Sequence, residues 1–214
     1  MKRSLIFSME PEKFLTPTEF NTFLKAAKDD REKCILLLLA GAGLRVGEMT
    51  QIRAEDIDFS KGYLHVQAVN AKFNKPRTVV LLPKVAEVLK KQLAGRAKGW
   101  LFPSYREGHI STRQVQNILD GIAIRAGLQE VKRTDKAGKD RHRVHPHLLR
   151  HSFAVWSLDS GVPVGDLQDQ LGHASLATTG IYLKAQPETQ ERGVYEVKVA
   201  EFLGGRDALK TKPF

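Results

Sequence analysis

Apolar residues recur at helical spacing from the first well-patterned stretch of the chain. In FLTPTEFNTFLKAA, the residues Phe20, Phe23, Leu24 and Ala27 fall on one stripe. The start of that stripe has its own chemistry. Thr16 can cap, Pro17 suits the first helical position, and Glu19 completes a capping box. A second helix is predicted from about Asp30 through Leu39. It is apolar almost all round and so belongs at the centre of the molecule. RVGEMTQI predicts a short third helix.

The period then shortens. DIDF, YLHVQAV and RTVVLL are rich in β-formers, with SKG as the turn between the first two and NAKFNKP as the second turn. Three antiparallel strands are expected. Helical patterning resumes near Pro83. STRQVQNILDGIAIRAG opens with a Ser-x-x-Gln capping box at Ser111 and stops at Gly127. VKRTDKAGKDRHRV lacks apolar periodicity and is predicted to be an exposed loop. Three more helices follow: about 146–160, ended by Gly161; 163–171, ended by Gly172; and one near 175–182. From Leu183 the pattern fits a strand or a helix only weakly. The fold class expected is mostly α with a small three-stranded antiparallel sheet (α+β). It divides as a short extension (1–13), one domain (14–182) and a C-terminal segment (183–214).

Composition narrows the partners. The chain has 214 residues and a net charge of +10, with 42% hydrophobic residues. A core is therefore available, and so much positive charge suits a polyanion: DNA, RNA or an anionic membrane. No stretch reaches the roughly 18 to 20 apolar residues of a membrane span. The start, MKRSLIFSME, is basic, but its apolar part is too short for a signal peptide. A single cysteine, Cys34, sits in the apolar run 34–44. It excludes an intramolecular disulfide and fits a reducing cytosol, so a cytoplasmic location is expected.

The candidate chemistry lies in four places. The first is HRVHPHLLRHSFAVW, residues 142–156. Pro146 pre-sets a helix start, and His147 and Arg150, three apart, project from one face. Free N–H groups at that helix end favour an anion, and a guanidinium fork matches a phosphate diester. His147 and His151 also form an i, i+4 pair of the kind that binds zinc. The zinc-hydrolase version needs Glu directly after the first histidine, and Leu148 stands there. No metal is expected, and His151 is expected to hydrogen-bond in the interior. The second place is GAGLRVGEM, where Arg45 emerges from an apolar helix and a Gly-rich bend, with Glu48 three residues on to hold it. The third is AKFNKPR, with Lys72 in the turn between two strands. The fourth is QLGHASLATTGIYLKA, where Gly172 ends a helix, His173 follows and Tyr182 lies nine residues later. Each place also has a plain structural reading: a capped, solvated helix start, a surface Arg–Glu pair, a hairpin tip, a core or interface tyrosine.

Taken in order, GLRVGE, KFNKPR, HLLRHSFA and LGHASLATTGIY resemble the tyrosine recombinases, the lambda-integrase or phage integrase family. The resemblance runs from about Phe14 to Tyr182. It implies a site-specific DNA recombinase that cuts and rejoins strands through a 3′-phosphotyrosyl intermediate. Tyr182 would be the nucleophile, His147 the general base and Lys72 the general acid. Arg45 and Arg150 would clamp the transition state, with His173 adding a hydrogen bond. Those cations would do the work of a metal, so no cofactor is implied. Ala71 and Phe73 stand where family members often have glycines, and Lys75 remains a second candidate for the lysine. Lys75 and Arg77, with Lys132, Arg133, Lys136, Lys139, Arg141 and Arg143, are expected on DNA backbone phosphates. Double-stranded DNA is the partner implied, with a homotetramer on two DNA sites. Residues 183–214 would dock on a neighbouring protomer. Few residues precede the first helix, whereas most family members carry an additional N-terminal clamping domain. DNA affinity is therefore expected to be weaker or to lean on oligomerisation. Three other readings fit the same residues: strand relaxation of the type IB topoisomerase kind, a non-catalytic DNA-binding regulator and, as the weakest, a phosphatase or nuclease.

Overall fold

The computed structural model describes residues 14–67, 76–105, 108–129, 131–134 and 140–172, with backbone alone for 131–134 and 140–142. Helix α1 (Pro17–Lys25) starts as its sequence predicts. The Thr16 hydroxyl accepts from the Glu19 N–H, and the Glu19 carboxylate accepts from the Thr16 N–H at 2.8 Å. Helix α2 (Asp30–Ala40) is capped by Asp29, and every residue from Cys34 to Ala40 is buried. Its all-round apolar surface has one physical solution, which is neighbours on several sides. α4 (Pro83–Leu93), α5 (Thr112–Arg125) and α6 (Pro146–Asp159) all pack against it. Its polar start is held separately, because the buried Glu32 accepts from Arg125 at the end of α5.

The short α3 (Val46–Thr50) leads through a 3-10 turn at Ala54–Asp56 into the sheet. Strands β1 (Ile57–Asp58), β2 (Tyr63–Val66) and β3 (Arg77–Val80) lie in that order, all antiparallel. β2 alternates as a half-buried strand should, with Leu64 and Val66 inward and Tyr63 and His65 outward. Leu64 sits opposite the buried Val79, so register and burial agree. β3 in turn meets α7 (Val164–Leu171), which packs on α6.

One expectation is corrected. The stretch 131–144, predicted as a loop, contains β4 (Val131–Thr134) and β5 (Asp140–His142), an antiparallel pair with a register irregularity between Val131 and Arg133. Apolar alternation reports a buried face. A ladder is made by backbone groups, so a charged hairpin forms without that signal. Of the turn expected at NAKFNKP (70–76) only Pro76 is described, and the helix expected near 175–182 and the segment 183–214 lie outside the described residues. Among the described residues, no helix is long and apolar enough to cross a membrane.

Candidate active site

The last turn of α7 leaves three carbonyls without helical partners, as every helix end does. Each is taken by a different arginine. Arg77 Nε donates to the Gln170 carbonyl (3.1 Å), Arg150 Nη2 to the Leu171 carbonyl (2.7 Å) and Arg45 Nη2 to the Gly172 carbonyl (2.9 Å). These arginines come from three separate elements: the start of β3, the second turn of α6 and the residue that opens α3. The negative end of a helix dipole is a favourable place for cations, and this one orients three of them.

Glu48 supplies the counter-charge. It is 3% exposed. Its carboxylate accepts from Arg77 through both oxygens (2.9 and 2.8 Å), from Arg45 Nη1 (2.8 Å) and from the Arg45 backbone N–H (2.9 Å). Burial pushes its carboxyl up. The Arg77 hydrogen bonds and charge, followed by the bonds from Arg45, outweigh that and hold it below the ordinary value. Among the described residues, Arg45 and Arg77 are bonded to this one carboxylate and Arg150 feels its charge, so the three guanidiniums and Glu48 carry two positive charges in excess.

Arg150 is 7% exposed and also donates from Nη1 to the Gly43 carbonyl. Burial and then the Arg45 charge pull its guanidinium down to about 9, with Glu48 acting the other way, so it is still cationic at neutral pH. The backbone makes room for this close approach. Gly43 has φ +68, and a Cβ there would lie 2.5 Å from the Phe153 ring. Gly172 has φ +63, and its Cβ would lie 2.9 Å from Arg77 Cδ. Only glycine fits either position.

The roles of the three arginines differ in what they leave free. Arg77 engages all three of its nitrogens. Arg45 and Arg150 each engage two, so their forks are oriented while N–H groups remain uncommitted among the described residues. An oriented guanidinium pair with surplus charge is built to bind an oxyanion.

His147 lies exposed on the first turn of α6, one turn before Arg150. The cap of α6 is His145, whose Nδ1 accepts from the Leu148 N–H at 3.2 Å. Burial of that ring, and then the neighbouring His147, lower the His145 pKa from its ordinary value and favour the neutral ring that can accept. His151 is half-buried. Two residues expected on DNA phosphates are turned inward. Arg77 is bound as described, and Arg143 donates to Glu19 at 2.7 Å; each side chain is 10% exposed. Lys132, Arg133 and Arg141 lie on the β4–β5 hairpin, with their side chains outside the described residues. Lys72, Lys75, Lys136, Lys139, His173 and Tyr182 lie outside them altogether.

Sequence reasoning missed Gln170. It is 5% exposed, and its side-chain amide pairs with β3 in both directions, accepting from the Val80 N–H (3.0 Å) and donating to the Val80 carbonyl (3.2 Å). A glutamine on the buried face of α7, directly before the LGH motif, was the available signal.

The class these features define is a mostly helical α+β domain with three arginines gathered on one helix end. Comparison with known proteins takes the class to a family. The phage integrase family model matches residues 13–189. The chain belongs to that family. It is 39% identical over 171 residues to a putative integrase/recombinase of Sinorhizobium fredii, covering 79% of this chain and 51% of the relative. It is 33% identical over 200 residues to the tyrosine recombinase XerA of Pyrococcus furiosus, covering 90% of this chain and 64% of that protein. The crystal structure of a XerA recombinase superposes with a TM-score of 0.66 at 27% identity, over 82% of this chain and 64% of that one. The chain therefore spans between about half and two thirds of these relatives.

Proposed function

We propose that the chain is the catalytic part of a site-specific DNA recombinase. Double-stranded DNA is the substrate, and strands are cut and rejoined by transesterification. The observation that carries this reading is the convergence of Arg45 and Arg150 on adjacent carbonyls at the α7 end, with two excess positive charges around them. A phosphate diester is the oxyanion that such forks match. The family relation supports the same chemistry.

In the proposed reaction the Tyr182 oxygen attacks a DNA phosphorus, and the bond from phosphorus to the 5′-oxygen breaks. His147 takes the phenolic proton, Lys72 gives a proton to the leaving 5′-oxygen, and a 3′-phosphotyrosyl link remains. Arg45 and Arg150 stabilise the charge that gathers on the non-bridging oxygens, joined by His173. A second 5′-hydroxyl reverses the step on a new strand. One phosphodiester is exchanged for another, so no energy-supplying cofactor enters the scheme. Exchange between two duplexes suits a homotetramer working in the cytoplasm, with 183–214 docked on a neighbour.

The test is covalent capture on nicked duplexes of randomised sequence. The chain is expected to form a denaturant-resistant protein–DNA adduct. Tyr182→Phe is expected to bind the same DNA and form none. An adduct with the phenylalanine variant would reassign the nucleophile.

A further inference from the structure

Arg77 was expected on a DNA phosphate. Its guanidinium is instead the point where three parts of the site meet. It opens β3, five residues after Lys72 in the sequence. It clasps both oxygens of Glu48, and Glu48 in turn holds Arg45. It also donates to Gln170 at the end of α7, two residues before the Gly172 carbonyl that receives Arg45.

We infer that Arg77 is a positioning residue that keeps Arg45 aimed and uncompensated by dividing the charge of Glu48, and that it contacts no phosphate itself. The inference rests on the function proposed above. The geometry gives the reason. Without Arg77, the Glu48 carboxylate keeps only the bonds from Arg45. It is then free to turn and chelate that guanidinium with both oxygens, which draws Arg45 away from the Gly172 carbonyl. The excess charge of the cluster falls at the same time. A lysine at 77 restores a charge but not the reach, because one ammonium does not span two carboxylate oxygens and the Gln170 carbonyl.

The whole 214-residue chain is compared with Arg77→Lys and Arg77→Gln. Binding to a mixed-sequence duplex is followed as salt is raised, and the rate of adduct formation is measured on the randomised nicked duplexes. Adding either variant to Arg45→Gln is expected to leave the slope of log affinity against log salt unchanged, because Arg77 acts on the phosphate only through Arg45. Both variants alone are expected to lose cleavage rate, by about 100-fold for a fork displaced by an ångström. The acid limb of the cleavage profile should also move to higher pH in Arg77→Gln, because Glu48 loses its main partner. A slope lower by about one when Arg77→Gln is added to Arg45→Gln would make Arg77 a phosphate ligand and overturn the inference. Unchanged cleavage in both variants would overturn it as well. If thermal melting shows Arg77→Gln unfolded, Arg77→Lys decides alone. A wild-type chain that forms no adduct defeats the proposed function, and the inference goes with it. A wild-type adduct with normally active variants defeats the inference alone.

Discussion

A carboxylate that is 3% exposed and gripped by two guanidiniums has to remain ionised to be useful there. The Glu48 pKa in the folded chain lies below its ordinary value of 4.5. A carboxyl lowered on folding adds stability that is fully present above the unfolded-state value. That stability is lost as pH falls through the folded-state value. Glu48→Gln removes it and leaves three cations around a neutral amide. The expected cost at neutral pH is about 3 to 5 kcal/mol, the range for breaking a buried pair by deleting one partner. Urea unfolding checks it, and the gap to wild type should narrow once both proteins are below the folded-state pKa. Gly43→Ala tests the backbone beside the same cluster. The new methyl would lie 2.5 and 2.7 Å from Phe153 ring carbons, and φ +68 is costly for any side chain. Overpacking alone is worth about 1 to 3 kcal/mol. The melting temperature should fall, and the hydrogen bond from Arg150 to the Gly43 carbonyl should break with it.

Between elements, α6 holds the chain ahead of α1 by both sides of one peptide residue. The Ser152 hydroxyl accepts from the Leu15 N–H at 2.8 Å and donates to the Leu148 carbonyl, while Trp156 Nε1 donates to the Leu15 carbonyl at 2.9 Å. Ser152→Ala strands a buried N–H and should cost about 1 to 3 kcal/mol by chemical unfolding. Ser152→Thr, which keeps the oxygen, separates that loss from the loss of packing. The helix starts at Thr16 and Ser111 and the stops at Gly161 and Gly172 were legible because each is settled within a few residues of chain. Glu48 was legible as the partner of Arg45 for the same reason. The rest of the cluster was not. Gln170 on β3 and Arg77 on Glu48 join positions far apart in sequence, and no local pattern encodes which carbonyl an arginine will find. The cap of α6 also escaped, since imidazole is not among the usual capping side chains. The β4–β5 hairpin escaped because its signal is backbone pairing without a buried face.

Over the whole molecule, a charge of +10 is divided between two kinds of basic residue. Some are internal. Arg143 is bound to Glu19, which also closes the α1 capping box, and hydrogen bonds and charge from Thr16 and Arg143 hold that carboxyl below its ordinary value against the effect of burial. Others, Lys132, Arg133 and Arg141, stand on a two-stranded hairpin with no apolar role in the sequence. Under the proposed function only the second kind should release counterions from DNA. Each phosphate that a variant ceases to neutralise lowers the salt slope by about 0.9 on duplex DNA. Replacing Lys132 and Arg133 together with glutamine should therefore lower the slope by about two and weaken binding to any sequence equally. Arg143→Gln should leave the slope unchanged and lower the melting temperature, because its partner is in the chain. Fluorescence anisotropy on one mixed-sequence duplex at several salt concentrations, with a melting curve for each variant, measures both quantities. A slope that drops with Arg143→Gln would return that arginine to the DNA surface. An unchanged slope in the double variant would mean that the hairpin faces away from the DNA.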